Sequence, residues 1–313
     1  MQQTTNTILM VRPIGFRMNE QTAVNNHYQQ ELANTLPATI NIKAQKEFDN
    51  FVLKLQNNGV EVVVVNDTEN PNTPDSIFPN NWISFHENGD IALYPMFAEN
   101  RRLERREDVL EVLESKGFEI ENVVDYSEAE EEGVFLEGTG SMILDRQNQK
   151  AYCALSERAD EELFIEFCED FEYTPVVFTA KQTVNNEREV IYHTNVMMCV
   201  AEQFAIVCLD AIDDKKERKN VLKHLKENKK EVIAITEAQV NAFAGNMLQV
   251  KGENNQRFLV MSSSAYHALT KEQLQKLEKY NTIIHSSLET IETCGGGSAR
   301  CMMAEVFLPN QSK

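Results

Sequence analysis

The 313-residue sequence lacks several features that would mark particular classes of protein. Basic residues are few, because 30 Lys and Arg stand against 49 Asp and Glu, and the formal net charge is −19. This balance argues against a nucleic acid or an anionic membrane surface as a partner. No apolar run approaches the roughly 18 residues that can span a bilayer, and the first ten residues show no signal-peptide pattern. We therefore expect neither a nucleic-acid nor a membrane partner.

Cysteine is also scarce, and its spacing excludes two kinds of site. The six cysteines form no CxxC pair, which favours reduced thiols and a cytoplasmic location. Histidine and cysteine never occur at the spacing that metal ligands have in proteins. The sequence therefore predicts neither a metal site nor a bound cofactor.

The most informative stretch is Thr-Cys-Gly-Gly-Gly-Ser-Ala-Arg-Cys, which runs from Thr293 to Cys301. Consecutive glycines let the backbone approach a ligand closely, because no side chain intervenes and a positive φ costs little. Backbone N–H groups and the guanidinium of Arg300 would both favour a thiolate, which is the nucleophilic form of cysteine. The loop therefore predicts a reactive thiol, either Cys294 or Cys301.

Two alternatives to a reactive thiol remain open from these residues alone. Free cysteines are often buried and usually only pack in the core, and a glycine-rich loop can also cradle a phosphate. The run lacks the Gly-Lys-Ser/Thr ending of a P-loop, and no helix is predicted after it. Instead, the apolar residues 302–308 predict a final buried strand.

The first eighty residues predict a strand, a long helix and a second strand. Residues 7–11 form a short apolar run. Apolar residues at spacings of three and four predict a helix over 21–55, and the β-branched run 60–65 predicts a buried strand. The segment 66–79 is rich in Pro, Asp and Asn and predicts turns.

A short motif then recurs along the chain. Four segments begin with an aromatic residue, pass through small or polar residues and run into a strand; they start at Phe78, Phe135, Tyr192 and Phe243. The intervals are 57, 57 and 51 residues, and the glycine-rich loop follows at the next comparable step. After each opening strand come a second strand, a polar helical stretch and an apolar strand. The pattern predicts a repeated ββαβ unit of about 50 residues.

We therefore predict an α/β fold, namely a five-bladed α/β propeller of pseudo-fivefold ββαβ repeats, in a single domain covering residues 1–313. The N-terminal strand would complete the fifth unit and close the ring. A two-domain doubly wound α/β fold is the alternative, but it does not explain why polar motifs recur at strand starts. In a ring of repeats, those strand starts converge on the axis.

This convergence would gather a thiol, an imidazole, carboxylates and amides at the axis. The residues concerned are Asp75, Asn80, Asn81, Glu137, His193, Asn195, Asn246 and Cys301. A thiolate can attack an electrophilic carbon, and an imidazole can protonate a leaving amine and then activate water. Each group also has a structural alternative, since histidines, carboxylates and asparagines beside turns often only stabilise the backbone.

Three ordered motifs resemble the guanidine-modifying superfamily, which includes arginine deiminases, dimethylarginine dimethylaminohydrolases, agmatine deiminases and amidinotransferases. The motifs are Phe135-Leu-Glu-Gly-Thr-Gly-Ser, Tyr192-His-Thr-Asn-Val and Gly295-Gly-Gly-Ser-Ala-Arg-Cys301. A further run, Phe78-Pro-Asn-Asn-Trp, is most similar to the branch of citrulline-utilisation hydrolases. The superfamily has a five-bladed α/β propeller fold, which agrees with the repeat.

The resemblance implies roles for individual residues. Cys301, rather than Cys294, is implied as the nucleophile, with His193 as general acid and base and Glu137 as the carboxylate beside it. Arginines in this superfamily hold the substrate carboxylate, a task that suits their bidentate geometry. The implied substrate-binding residues are Asp75, Asn80, Asn81, Asn195, Arg101 or Arg102, and Arg158.

The three asparagines stand where many guanidinium-binding members carry carboxylates. Amides suit an uncharged ureido group better, because a guanidinium would leave its charge less compensated in a partly dry pocket. The resemblance and the amides together predict a cysteine hydrolase that cleaves a C–N bond of a citrulline-like or arginine-like amino acid, through a covalent thio intermediate on Cys301.

Two other functions remain as alternatives. An amidinotransferase would use the same cysteine, histidine and glutamate but pass the group to a second amine. A non-catalytic propeller would act by binding alone. The expected partner of the hydrolase is a small ureido or guanidino amino acid. The oligomeric state stays open, with a homodimer as one option.

Overall fold

The structure is a computed structural model that describes residues 1–32 and 35–311. Within those residues the chain forms a mixed α/β fold with several small sheets, five of them three-stranded and one two-stranded. The prediction of an α/β fold is therefore confirmed. No helix in the described part of the chain is long and apolar enough to cross a membrane.

Strands and helices alternate along most of the chain. The strands are β1 Thr7–Arg12, β2 Glu61–Asn66, β3 Ile83–Phe85, β4 Asp90–Leu93, β5 Asn122–Asp125, β6 Met142–Asp145, β7 Lys150–Ala154, β8 Thr174–Phe178, β9 Lys181–Val184, β10 Glu187–Val190, β11 Met198–Val200, β12 Phe204–Val207, β13 Glu231–Ala234, β14 Leu248–Lys251, β15 Arg257–Ser262, β16 Thr282–Ser286 and β17 Ala304–Glu305.

The α-helices are α1 Pro37–Asn57, α2 Glu99–Arg102, α3 Glu107–Ser115, α4 Gly138–Ser141, α5 Glu161–Asp170, α6 Lys215–Glu227, α7 Glu237–Val240, α8 Ser263–Ala268, α9 Lys271–Glu278 and α10 Glu289–Gly295. Short 3₁₀ turns lie at Pro79–Asn81, Ser127–Glu132, Arg146–Asn148, Thr194–Val196, Leu209–Ala211 and Glu253–Asn255. Two of these turns, together with α4, carry the polar motifs that were singled out in the sequence.

Four of the three-stranded sheets have the same topology. In each, two consecutive strands pair antiparallel, and a third strand returns through at least one helix to pair parallel with the second. The sheets are β3–β4–β5, β6–β7–β8, β11–β12–β13 and β14–β15–β16. This is the predicted ββαβ order, and a parallel third strand requires such a crossover connection.

The fifth sheet combines the two ends of the chain. Strand β17 pairs antiparallel with β1, with Ile8 opposite Glu305, and β1 pairs parallel with β2, with Thr7 opposite Glu61. Helix α1 is the crossover between β1 and β2. The N-terminal strand thus completes the fifth ββαβ unit, as predicted.

The helix predicted over 21–55 is only partly correct, because α1 begins at Pro37. The apolar positions that support the helical period, from Ile40 to Leu55, lie in the second half of the predicted range and are buried. The first half contains many Asn, Gln and Thr side chains, and these bond to other parts of the molecule instead of forming a helix face. Ala33 and Asn34 fall outside the described residues.

The strand predicted over 302–308 is also shorter than expected. Backbone hydrogen bonds from Met302 and Met303 to Ala299 and Arg300 form a turn that delays the strand, and only Ala304–Glu305 pairs with β1. Met302 and Met303 pack beneath α1 in the same hydrophobic cluster as Cys294. The helix therefore supports the loop that carries the candidate nucleophile.

Candidate active site

Three of the repeated motifs meet at one place in the fold. Each motif enters a helical turn just before the first strand of its sheet, and α4 packs against both the 79–81 and the 194–196 turns. Glu137 and His193 each stand at the position immediately before their helical turn, and Phe78 stands at the equivalent position in its motif. The strand starts therefore bring their polar residues together.

A narrow cavity of about 10 Å³ lies at this meeting point. Six of the residues predicted for the site line it: Asp75, Asn81, Arg101, Arg158, His193 and Cys301. The glycine-rich loop forms one wall, and a side chain at Gly297 would collide with the Phe78 ring, at 2.8 Å. Larger cavities of about 550–630 Å³ lie elsewhere and contain none of these six residues.

His193 and Glu137 form a buried hydrogen-bonded pair, with 2.7 Å between Nε2 and Oε2. Burial raises the pKa of Glu137, but Arg158 and His193 outweigh this effect and lower it to about 2. Burial lowers the pKa of His193 to about 4, although Glu137 acts in the opposite direction. An ionised carboxylate only accepts hydrogen bonds, so Nε2 carries the proton of the neutral ring. The other nitrogen, Nδ1, has no hydrogen-bond partner among residues 1–32 and 35–311.

Arg101 is fixed by a carboxylate that the sequence reasoning missed. Glu104 accepts from Arg101 at both oxygens, at 3.0 and 2.9 Å, and burial raises the pKa of Glu104 to about 8 despite that arginine. Arg101 also donates to Asn81 Oδ1 at 2.7 Å. The spacing of three residues between Arg101, near the end of α2, and Glu104, in the turn that follows, could have indicated the ion pair.

Arg158 and Arg102 have different surroundings. Arg158 is buried, lies 3.6 Å from Glu137 and stacks over the Tyr192 ring at 4.9 Å. Arg102 does not line the cavity; it donates to the Met96 carbonyl and pairs with Glu130 at 3.5 Å. Of the two neighbouring arginines predicted for the substrate carboxylate, the structure places only Arg101 in the cavity wall.

Asp75 and Asn195 each keep one unpaired acceptor. Asp75 Oδ2 accepts from Asn19 at 2.8 Å and from Thr22 at 3.0 Å, and burial raises the pKa of Asp75. Asp75 Oδ1 and Asn195 Oδ1 are buried without a partner in the described part of the chain. Unpaired buried acceptors are uncommon, because each has given up hydrogen bonds to water.

Asn80 supports the backbone of the cysteine loop. Its Nδ2 donates to the Cys301 carbonyl at 2.6 Å, and its Oδ1 accepts from Gly140 N–H at 3.3 Å. Asn80 itself does not line the cavity. A side chain at Gly140 would collide with both Asn81 Nδ2 and His193 Nδ1, so these two nitrogens share one side of that glycine.

The Cys301 sulfur accepts hydrogen bonds from two side-chain amides, from Asn195 Nδ2 at 3.3 Å and from Asn246 Nδ2 at 3.2 Å. The expectation that Arg300 and backbone N–H groups would favour the thiolate is wrong. The Arg300 guanidinium turns away to the Met303 carbonyl and to Glu305, and the Cys301 N–H donates to the Ser298 carbonyl at 3.1 Å.

Cys294 lies outside the cavity. It is fully buried under α1, and burial raises the pKa of its thiol. Only Cys301, of the two cysteines in the loop, lines the site.

Residues 19–30, which we call the cover segment, close the cavity on one side. Thr22 and Asn25 accept hydrogen bonds from Arg158, Asn26 and Gln29 donate to the Gly295 carbonyl, and Thr22 and Asn26 line the cavity. Sequence reasoning missed this segment. Its high content of Asn, Gln and Thr was the available signal, because such side chains favour turns over a helix interior.

No group of three or more His, Cys, Asp or Glu side chains within the described ranges is placed to hold a metal ion. The polar groups that line the cavity include instead the Asp75 carboxylate, the Cys301 thiol, two arginines, two asparagines and His193, whose ring is bonded to Glu137.

Fold and site together define a class of α/β proteins in which a cysteine and a carboxylate-bound histidine share one narrow cavity. The sequence matches the model of the family N,N dimethylarginine dimethylhydrolase, eukaryotic, over residues 12–308. The chain belongs to that family, and the resemblance to the guanidine-modifying superfamily is thereby confirmed. No protein with curated annotation matches the sequence.

Solved structures share the fold at low sequence identity. ArgZ, an arginine dihydrolase from the ornithine-ammonia cycle in cyanobacteria, is 16% identical with a TM-score of 0.72, and the match covers 97% of this chain and 41% of ArgZ. This chain therefore spans about two fifths of the length of ArgZ. An ArgZ N-terminal domain covalently bound to a reaction intermediate is 16% identical with a TM-score of 0.68, and 97% and 99% of the two chains are covered.

A third solved structure is a dimethylarginine dimethylaminohydrolase variant in an adduct with S-methyl-L-thiocitrulline. It is 13% identical with a TM-score of 0.63, and the match covers 96% of this chain and 98% of that one. At these identities the similarity establishes a common fold.

Proposed function

We propose that this protein is a hydrolase that cleaves a C–N bond of a ureido or guanidino amino acid through a covalent thio intermediate on Cys301. The observation that carries the proposal is the placement of Cys301 and His193 on one narrow cavity, with the His193 ring held by Glu137. Family membership supports the reaction class. Two structural relatives support the covalent step, since one is bound to a reaction intermediate and the other forms an adduct.

In the proposed reaction, Nδ1 of His193 first accepts the Cys301 proton, and the thiolate attacks the carbon of the ureido group. The bond from that carbon to the δ-nitrogen breaks, and His193 returns the proton to the leaving amine. Water then attacks the carbamoyl thioester while His193 accepts a proton, and the C–S bond breaks. From citrulline the products are ornithine and carbamic acid, and the thiol is restored.

The orientation of Asn81 favours a ureido group over a guanidinium. Because Arg101 donates to Asn81 Oδ1, the amide nitrogen is the group that Asn81 turns toward Gly140 and His193 Nδ1. A ureido oxygen can accept from that nitrogen, whereas a guanidinium offers only donors. We therefore infer a citrulline-like substrate in preference to an arginine-like one.

The remaining polar groups suit the other parts of such a substrate. Asp75 Oδ1 and Asn195 Oδ1, which are unpaired in the described part of the chain, would accept substrate N–H groups. We assign the substrate carboxylate to Arg158, because Arg101 already donates to both oxygens of Glu104 and to Asn81 Oδ1. Arg101 would then act on the substrate through Asn81.

We also infer that the five three-stranded sheets are blades of a five-bladed α/β propeller and that residues 1–313 form one domain. The repeated strand order and the pairing of β17 with β1 support this interpretation. We further propose a cytoplasmic location, supported by six free cysteines. A monomer and a homodimer are both compatible with this function.

The test combines a thiol label with product analysis. The protein is incubated with 2-chloroacetamidine, and the labelled peptide is mapped. Ornithine release is then measured from citrulline, and the release of both citrulline and ornithine is measured from arginine and dimethylarginine. We expect one label at Cys301, protection by citrulline, and ornithine release fastest from citrulline. Faster turnover of arginine would overturn the ureido preference, and labelling spread over all six cysteines would favour a binding protein. Product formed only when a second amine is added would indicate an amidinotransferase.

A further inference from the structure

Asn246 contacts the Cys301 sulfur from the fourth repeat, two residues before β14. It is 1% exposed, and its Nδ2 donates both to Cys301 Sγ at 3.2 Å and to the Asn195 carbonyl at 3.1 Å. Its Oδ1 accepts from the Arg300 N–H at 2.9 Å. Because both ends of the amide are bonded, the group cannot rotate without losing these contacts.

Asn195 approaches the same sulfur from the third repeat. Its Nδ2 donates to Cys301 Sγ at 3.3 Å, while its Oδ1 has no partner in the described ranges. The sulfur thus accepts from two amide nitrogens that come from different repeats. Hydrogen bonds to the charged form of a group stabilise that form, and the thiolate is the charged form of cysteine.

We propose that Asn246 and Asn195 form an amide clamp that stabilises the Cys301 thiolate and fixes its direction. The two members differ in one respect, because Asn246 is anchored by Arg300 N–H whereas Asn195 keeps an oxygen for the substrate. Asn246 is therefore the permanent donor to the reacting sulfur. The inference rests on the proposed function, since the clamp has a catalytic purpose only if Cys301 is the nucleophile.

The test uses Asn246→Asp, which keeps an oxygen for the Arg300 N–H and replaces the donor to sulfur with an acceptor. Asn281→Asp is the matched control, because Asn281 is also buried, donates to the Leu277 carbonyl and accepts from Gln249, away from the cavity. The measured quantity is the rate at which iodoacetamide alkylates Cys301 at neutral pH, followed by intact mass and peptide mapping. Thiolate absorbance and the melting temperature are recorded for each variant.

We expect Asn246→Asp to slow alkylation roughly 10- to 100-fold, because the thiolate loses a hydrogen bond and a bond to a charged group contributes about that much. Thiolate absorbance should also decrease. The control should react within about twofold of the unchanged protein. An unchanged rate in a folded Asn246→Asp variant, with Cys301 still labelled, would overturn the clamp and leave the proposed function standing. An unreactive Cys301 in the unchanged protein would overturn both.

If Asn246→Asp does not fold, the alkylation rate of Cys301 is compared between Asn246→Ala and Asn281→Ala instead. A slower reaction of Asn246→Ala, with the control unaffected, supports the clamp. Equal rates in the two alanine variants overturn it.

Discussion

Two buried ion clusters in this protein differ in how completely their polar atoms are paired. Asp145 and Lys230 form an ion pair at 3.0 Å, and both side chains are 0% exposed. The Lys230 ammonium also donates to two backbone carbonyls, at 2.7 and 3.1 Å, and Asn148 and Asn228 donate to the Asp145 carboxylate. Every donor of this lysine is therefore used within the fold.

The cluster around Glu137 is equally buried but is not saturated. Glu137 faces His193 and Arg158, and Asp75 lies in the same cavity. In the described part of the chain Asp75 Oδ1 and Asn195 Oδ1 are buried without a hydrogen-bond partner. The comparison indicates that burial alone does not separate structural from functional charges. Unpaired acceptors gathered around one cavity add the missing criterion. The hydroxyl of Tyr152 and Nδ1 of His224 are also buried without a partner in the described part of the chain, but they lie outside this cavity.

The largest expected effect is on the unsaturated cluster. Cys301→Ser should reduce ornithine release by at least ~10³-fold, because the nucleophile is lost, while the free energy of unfolding stays close to that of the unchanged protein. Cys294→Ser is the control, since Cys294 lies near the end of α10, seven residues before Cys301, and does not line the cavity. Enzyme kinetics and chemical denaturation measure the two quantities. Comparable activity in both serine variants would remove Cys301 from the mechanism.

The saturated cluster should respond in the opposite way. Lys230→Met leaves the buried Asp145 carboxylate without its cation and should lower the free energy of unfolding by about 3–5 kcal/mol. Activity per folded molecule should not change. The exposed pair Arg12–Asp49 provides the control, and Arg12→Ala should cost roughly 0–1 kcal/mol. Loss of turnover in folded Lys230→Met would contradict the division into structural and functional clusters.

The pH dependence of stability should come from the unsaturated cluster. Burial lowers the pKa of His193 from 6.5 to about 4, so below 6.5 the unfolded chain binds a proton that the folded protein does not. The contribution of His193 to the free energy of unfolding should therefore fall by up to roughly 3 kcal/mol as pH falls from 6.5 to about 4. Glu104, whose pKa is raised from 4.5 to about 8, has the opposite pH dependence, so the histidine is measured as the difference in free energy of unfolding between the unchanged protein and His193→Asn, which should decline over this range. A difference that stays constant would mean that His193 is protonated in the folded state.

The smallest effect is expected at Arg102. This arginine is partly exposed and pairs with Glu130 outside the cavity, so Arg102→Ala should change stability by roughly 0–1 kcal/mol and turnover by little. Arg101→Ala should reduce turnover strongly, because Asn81 loses the donor that orients it. Measuring the turnover of both variants under the same conditions distinguishes the roles of Arg101 and Arg102. An equal loss in both would place Arg102 in substrate binding.

Several site residues could be predicted because they lie in motifs that recur at regular intervals along the sequence. Glu137, His193 and Asn81 each stand at or just after the start of a repeated unit, and the repeat interval was visible in the sequence. Cys301 could be preferred over Cys294 only through the family resemblance, since both thiols flank the same glycines.

Other features depended on contacts between distant residues. The cover segment was predicted to be helical from its spacing, but its asparagines bond to Arg158 and to the glycine loop, more than a hundred residues away. The direction of the Arg300 side chain followed from Glu305 and the Met303 carbonyl rather than from its position beside Cys301.

The sequence alone determined the ββαβ repeat, the strand starts as the place for polar residues, and the superfamily, because these depend on local periodicity and on motifs of a few adjacent residues. Only the tertiary structure decided which donors face the Cys301 sulfur, which arginine enters the cavity, and which acceptors remain unpaired. These choices depend on side-chain directions and on packing between sheets that are far apart in the chain. Neighbouring residues do not encode them.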